Sequence, residues 1–177
     1  NIELEGKVKR RTAEIAEKNS MLSHQNEEIE AQRDELEIQR NVVLAQKNEI
    51  VDSITYAQRI QAAMLPPDTY FTELLHENFI FYKPRDIVSG DFYWIKQVNM
   101  SVILVAADCT GHGVPGALLS MMGMSYVDEI VQRREITQAN QVLNELRNQI
   151  KHSLRQRGQM DESRDGIDLA LCVMDLR

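Results

Sequence analysis

An apolar residue recurs every seven positions through the first third of the chain, and this repeat constrains the fold more than any other feature. The repeating positions are Val8, Ile15, Leu22, Ile29, Leu36, Val43, Ile50, Ala57 and Met64. No proline precedes Pro66, the only earlier glycine is Gly6, and good helix formers fill most other positions. A sustained seven-residue repeat drives left-handed supercoiling with a partner helix. The pattern predicts a coiled-coil signalling helix and linker over 1–64.

The repeat has one apolar stripe and one mostly polar stripe. With the apolar series at heptad position d, position a holds Thr12, Asn19, Asn26, Arg33, Arg40, Lys47, Ile54 and Gln61. Asparagine at position a favours two-stranded, in-register pairing and lowers its stability. We expect a parallel homodimer through 8–64, whose weak seam suits the transmission of a conformational change. A solvated single helix or a simple linker is the alternative.

The rod is expected to end at Pro66 and Pro67, because proline disfavours helical geometry in the residue before it. Tyr56 and Ile60 lie off the predicted seam near this end. Their position is compatible with contact to a globular part, and equally with a helix that simply stops.

The order of predicted strands and helices over 65–177 indicates an α+β domain with helices on one face of a sheet. Thr137 is expected to cap the second helix of this domain and Gly158 to end it. The patterns predict strands over 78–82, 91–95, 101–107 and 167–176, and helices over 115–133 and 137–158.

Two aspartates mark the candidate site. Asp91 starts one predicted strand after a Ser-Gly pair, and Asp108 ends the next strand before a glycine-rich turn. A hairpin of these strands brings both carboxylates to one point, where they can act as ligands of a hard divalent cation. His112, in the glycine-rich turn, is expected to stabilise the loop, with an acid/base role as the alternative.

Four further residues have competing interpretations. Lys83 and Arg85 lie close to the predicted site in sequence and either meet a phosphate or stay solvated. Cys109 is expected to be inert at a strand end, and Cys172 to lie in the core.

Composition narrows the function classes. The net charge of −7 argues against a nucleic-acid partner, and the apolar runs are too short to cross a bilayer. Two cysteines and no leader favour a reduced, cytoplasmic setting without membrane contact, although a membrane anchor upstream in a parent protein stays open. We expect both ends, Asn1 and Arg177, to be cuts inside a larger protein.

Four segments, in this order, resemble the SpoIIE/RsbU-like branch of the PPM-type metal-dependent serine/threonine protein phosphatases. They read QAAMLP, PRDIVSGDFYW, ADCTGHGVPGALLSM and DGIDLALC and span roughly 60–177. The resemblance implies the N-terminal part of an α-β-β-α sandwich over 65–177, truncated at its C-terminal end. It also implies a two-metal Mn²⁺ or Mg²⁺ centre that hydrolyses phosphoserine or phosphothreonine.

The resemblance also assigns roles to residues and partners. Asp91 matches the first metal-binding aspartate of the family, and Asp108 matches the aspartate that bridges the two metals. Cys109 occupies the position that contributes a backbone carbonyl to the metal. The implied substrate is a phosphorylated regulatory protein such as an anti-sigma-factor antagonist, and the implied regulator is an upstream sensor domain.

This chain departs from the family pattern in two ways. Trp94 stands where many members carry an acid, and the later Thr-Asp-Gly and Asp-Asp motifs are expected downstream of Arg177. We therefore expect the 177-residue chain to be inactive and to self-associate through its unfinished sheet. The alternative function is a non-catalytic, dimerising signal-relay or pseudophosphatase module.

Overall fold

The computed structural model describes residues 2–75, 77–159, 162 and 164–176. The outermost residues of the predicted domain ranges, Asn1 and Arg177, lie outside these. The chain divides into two compact units, Asn1–Val51 and Asp52–Arg177. The division falls before the predicted boundary at 64/65, because the last turns of the long helix pack within the second unit.

The first element is the predicted long helix. Helix α1 spans Ile2–Met64, and Glu3 and Glu5 in its first turn complement the helix dipole. The helix ends just before Pro66, as expected from the restriction that proline places on its neighbour. Within the described residues, no helix is long and apolar enough to cross a membrane.

The sheet is antiparallel and has the order β1-β2-β3. Strand β1 spans Phe92–Val98, β2 spans Ser101–Cys109 and β3 spans Ile167–Asp175. The first two strands form the predicted hairpin, whose turn contains Asn99 at a φ of 53°. Asparagine tolerates this left-handed conformation better than most residues do.

Helices cover one face of the sheet. Helix α3 spans Gly113–Asp128 and runs into a π-helical turn at Glu129–Arg133, and α4 spans Ala139–Ser153. The apolar face of α4 is buried through Val142, Leu146 and Ile150. The core contains these side chains, buried side chains of α3 such as Leu119, Met124 and Val127, and alternate side chains of all three strands. This arrangement confirms the predicted α+β class.

The second face of the sheet is only partly covered. Helix α2, Asp68–Leu74, packs Phe71 against Ile95 and Val102. The rest of this face borders an open groove of about 1010 Å³. Its wall includes apolar side chains of β2 and β3 together with Phe79 and Phe81.

Four local predictions were wrong, and one helix was missed. Within the described residues, 78–82 forms no strand, and α2 was not predicted at all. The N-cap of α4 is Gln138 rather than Thr137, and α4 ends at Ser153, well before Gly158. Cys172 is exposed rather than buried, because it lies on the open face of the sheet.

Candidate metal centre

Three aspartates line up across the end of the sheet. Because Phe92 pairs with Ala107, Asp91 lies beside Asp108 at the next position. Asp108 in turn pairs with Asp168 of β3. Phe92 and Ala107 belong to the core face, so the alternation of a strand directs the carboxylates to the other face, where all three line the open groove. The hairpin thus brings the two predicted ligands together.

Asp168, at the start of β3, was not among the ligands predicted from the sequence. The structure places it directly opposite Asp108, on the same side of the sheet. The alternation of polar and apolar residues at the start of β3 indicated its face, but the register with β2 was not readable from the sequence. Even so, the described residues contain no group of three histidine, cysteine, aspartate or glutamate side chains arranged to hold a metal ion.

The carboxyl groups of Asp91 and Asp108 interact directly. Partial burial raises the pKa of Asp91 above its ordinary value, and a hydrogen bond with Asp108 and the negative charge of Asp108 raise this pKa further. Two carboxylates this close repel each other when both are ionised. A bound cation would relieve this repulsion.

The backbone around Asp91 is held in place by neighbouring groups. The Asp91 N–H donates to Ser89 Oγ at 3.0 Å, and Tyr82 Oη donates to the Asp91 carbonyl at 3.3 Å. Ser89 itself is buried. The carboxylate therefore projects from a fixed backbone.

Glycines allow the turn after Asp108 to approach Asp91 closely. A Cβ on Gly90 would lie 2.8 Å from the carbonyl oxygen of Gly111 and 3.2 Å from that of Cys109. A Cβ on Gly116 would lie 2.6 Å from the same Gly111 oxygen. The carbonyl of Cys109 therefore lies against the segment that leads into Asp91.

The donor set suits a hard cation. Burial, followed by the charges of Asp108 and Asp91, raises the pKa of the Cys109 thiol to about 12. Its side chain is 3% exposed and belongs to the core, so only its carbonyl oxygen is available as a ligand. Two carboxylates and one carbonyl are the oxygen donors that Mg²⁺ and Mn²⁺ prefer. The chemistry of these three donors therefore suits such a cation.

Four other sequence candidates have distinct surroundings. His112 Nδ1 lies 2.9 Å from Asp86 Oδ2, which supports the loop-stabilising interpretation. Lys83 lines the groove that holds the aspartates, whereas Arg85 lines a different groove beside α1. Trp94 is buried in the core.

A contact that sequence reasoning missed lies at the end of α1. Gln61 is 4% exposed. Its Nε2 donates to the Ser89 carbonyl at 2.6 Å and to Ser120 Oγ at 2.8 Å, and its Oε1 accepts from the Ser89 N–H at 3.0 Å. Gln61 was assigned to the dimer seam, yet it is buried within its own chain. Tyr56 and Ile60, considered for this contact, are 65% and 47% exposed.

Comparison with known proteins found a similar solved structure. No family model matches the chain. No curated protein matches it either. A solved structure, the SiaA-PP2C domain of Pseudomonas aeruginosa, is similar with a TM-score of 0.63 and 33% sequence identity. The match covers 75% of this chain and 52% of the SiaA domain, so the chain spans about half of that domain's length.

These findings define the class of fold. The likeness supports a PPM-type fold and a family relationship to PPM phosphatases. It also supports a partial PPM domain preceded by a long helix. A phosphatase-type signalling function is the one that this relationship suggests.

Proposed function

We propose that this chain is part of a metal-dependent serine/threonine phosphatase of the SpoIIE/RsbU-like branch, acting on a regulatory protein in bacterial signalling. The observation that carries the proposal is the contact between Asp91 and Asp108, one position beyond the Phe92–Ala107 pair of β1 and β2. The glycine-rich turn that brings the Cys109 carbonyl beside them adds the third oxygen donor. Both features lie in the segments whose sequence resembles PPM-type phosphatases.

The proposal assigns metal binding to three residues and phosphate binding to a fourth. Asp91, Asp108 and the carbonyl of Cys109 hold Mn²⁺ or Mg²⁺ at the open face of the sheet. When bound, such cations supply positive charge to phosphoryl oxygens and lower the pKa of an attacking water. The groove beside the aspartates gives a phosphorylated segment access to them. Lys83, on the wall of this groove, supplies a further positive charge for the phosphate.

We further propose that the coiled-coil linker controls the site through Gln61. This side chain binds both backbone groups of Ser89, and the hydroxyl of Ser89 accepts from the N–H of Asp91. A rotation or shift of α1 therefore displaces the segment that presents Asp91. The same side chain reaches Ser120 on α3, the helix that follows the Asp108 turn.

The proposed state of the rod is a parallel homodimer. The position-d residues from Val8 to Ile50 are exposed in the single chain, as the unpartnered stripe of a coiled coil would be. Gln61 is already bonded within its own chain, so the seam between two chains ends before it.

We propose that the 177-residue chain itself has little or no activity. A two-metal centre needs more acids than the pair that the described residues bring into contact. The same observation favours the second candidate function, a dimerising signal-relay or pseudophosphatase module. Additional acids supplied by the full-length protein would favour catalysis.

The decisive test is Mn²⁺-dependent dephosphorylation of a phosphoserine or phosphothreonine protein by the full-length protein. We expect turnover that chelation abolishes and that Asp108→Ala eliminates. Asp165→Ala is the matched control, since Asp165 is exposed and does not line the groove that holds the paired aspartates. Equal activity of the Asp108→Ala variant and the unsubstituted protein would leave only the signal-relay function.

A further inference from the structure

The side chain of Thr110 joins the turn after Asp108 to the start of β3. Its hydroxyl donates to the Gly166 carbonyl at 3.2 Å and accepts from the Gly166 N–H at 3.0 Å. The backbone N–H of Thr110 donates to the same carbonyl at 2.9 Å. We call this set of three hydrogen bonds the Thr110–Gly166 latch.

The latch lies where the candidate metal ligands leave β2. Thr110 directly follows Cys109, whose carbonyl is one of the proposed ligands, and Gly166 directly precedes β3. The next pair along the ladder is Cys109 with Ile167, and the one after it is Asp108 with Asp168. The latch therefore closes the ladder at the end that carries the aspartates.

The Thr110 hydroxyl adds two hydrogen bonds to Gly166 that backbone pairing alone would not supply. An apolar side chain of the same shape would keep the N–H of Thr110 on the Gly166 carbonyl. It would leave the Gly166 N–H without the hydroxyl acceptor and remove the second donor from the carbonyl. The turn would then be held to β3 by one of three hydrogen bonds, and Asp108 and the Cys109 carbonyl would gain freedom to move.

We propose that Thr110 is a positioning residue of the metal site: its hydroxyl holds the end of β2 against β3 and thereby sets the positions of Asp108 and the Cys109 carbonyl. The proposal rests on the function proposed above. Thr110 acts through these neighbours and is itself no ligand in this scheme.

The test compares three variants of the 177-residue chain. Thr110→Val removes the hydroxyl and keeps the shape, while Thr110→Ser keeps the hydroxyl. Gly166→Ala is the matched control, because a Cβ there meets nothing within 4 Å and both backbone partners of the latch remain. Free Mn²⁺ is measured by electron paramagnetic resonance during titration, and exchange of the Gly166 amide hydrogen is measured without metal.

We expect Thr110→Val to weaken Mn²⁺ binding by about tenfold, which is the lower end of the effect of removing a group that orients a metal ligand. The affinities of Thr110→Ser and Gly166→Ala for Mn²⁺ should stay within about twofold of that of the unsubstituted chain. Exchange at Gly166 should be faster in Thr110→Val alone. The proposal is overturned if Thr110→Val binds Mn²⁺ as tightly as the unsubstituted chain, or if Thr110→Ser loses as much affinity as Thr110→Val.

Failure of the metal site itself gives a different result. An unsubstituted chain that binds no more Mn²⁺ than Asp108→Ala refutes the metal site, and with it the positioning role. The exchange measurement still shows in that case whether the hydroxyl secures β3. Intact Mn²⁺ binding that is indifferent to Thr110→Val refutes only the positioning role.

Discussion

The contact between Asp91 and Asp108 places two like charges side by side at the open end of a hairpin. Such a contact is unfavourable when both groups are ionised, which is why Asp108 raises the pKa of Asp91. Proteins retain such arrangements where a cation or a proton is to be bound. The pair therefore has a measurable signature even without metal.

Replacing Asp108 by asparagine tests this signature. We expect Asp108→Asn to raise the thermal midpoint of the metal-free chain by about 1–3 °C at pH 7, since it removes the repulsion and leaves a hydrogen-bond donor. Added Mn²⁺ should stabilise the unsubstituted chain and leave the variant unchanged. Asp34→Asn, in the exposed rod, controls for the loss of one charge. A lower midpoint for the variant would show that the pair does not repel.

The pH dependence follows from the sign of the shift. The folded chain holds the Asp91 proton more tightly than the unfolded chain, whose ordinary pKa is 3.8. Protonation of Asp91 therefore stabilises the fold below that pH, and the contribution is lost as the pH rises through the raised pKa. The advantage of Asp108→Asn in thermal midpoint should shrink over this window as the pH is lowered. A constant difference across the titration would contradict this account.

Position 116 requires glycine because backbone atoms of Gly111 and Gly90 leave no room for a Cβ. An added Cβ would lie 2.6 Å from the Gly111 carbonyl oxygen and 3.1 Å from the Gly90 Cα. We expect Gly116→Ala to lower the free energy of unfolding by about 1–3 kcal/mol, the usual cost of overpacking. Chemical denaturation measures this effect. Gly166→Ala, whose Cβ meets nothing within 4 Å, should leave stability nearly unchanged.

At the scale of elements, the last turns of α1 matter most for function. Seven-residue periodicity predicted the helix, and the prolines predicted its end, but the heptad assignment treated Gln61 as one more polar seam residue. The buried hydrogen bonds of Gln61 to Ser89 and Ser120 instead attach the helix end to the segment before β1 and to α3. A side chain that the heptad assignment placed in the seam therefore forms the attachment.

Removal of this side chain should loosen the attachment. We expect Gln61→Ala to lower the free energy of unfolding of the second unit by about 1–3 kcal/mol, because the Ser89 N–H stays buried without its acceptor. Amide exchange over 52–64 should quicken in parallel. Gln58→Ala is the matched control, since Gln58 is exposed one turn earlier on the same helix. Equal stability of the two variants would contradict this role.

The mistaken strand over 78–82 has a physical explanation. Its aromatic and β-branched residues have high strand propensity, but propensity mainly reflects fit to a half-buried sheet surface. Here Phe79 and Phe81 are 89% and 85% exposed, and Ile80 packs against the cluster that contains Phe71 of α2. The segment contributes to the wall of the groove rather than to the sheet.

At the scale of the whole molecule, the chain combines a rod with a small α+β unit whose sheet is covered on one face and partly open on the other. The predicted homodimer and the predicted inactivity both belong to this scale. Each is tested with the intact 177-residue chain.

Two exposed residues on the rod offer a matched test of the dimer seam. Leu36 lies at position d and Ile38 at position f, and their exposed fractions in the single chain are 63% and 66%. We expect Leu36→Lys to weaken self-association, since a buried lysine disrupts a two-stranded seam, and Ile38→Lys to leave it unchanged. Analytical ultracentrifugation measures both. Equal behaviour of the two variants, or a monomeric unsubstituted chain at high micromolar concentration, would contradict the coiled-coil dimer.

The activity of the chain alone is a second test at this scale. We expect turnover of p-nitrophenyl phosphate with Mn²⁺ to be indistinguishable from that of Asp108→Ala, because the described residues bring only two carboxylates into direct contact. Clear Mn²⁺-dependent turnover that Asp108→Ala abolishes would show that the chain itself completes a catalytic centre.

The amino-acid sequence alone determined the features that depend on local pattern. The heptad repeat determined the long helix, and the prolines determined where it ends. The two strands and the short turn between them determined that Asp91 and Asp108 meet. These features were predictable because periodicity, proline geometry and hairpin pairing act over a few neighbouring residues. The motif resemblance added the class of fold.

Only the tertiary structure decided the features that depend on long-range register. It placed Asp168 opposite Asp108, tied Thr110 to Gly166 across the loop that leads into β3, and buried Gln61 against Ser89. Each contact joins residues that are distant in sequence, and each depends on how a helix or strand is rotated and aligned against another. No local pattern encodes that alignment, because it is set by the packing of the whole core.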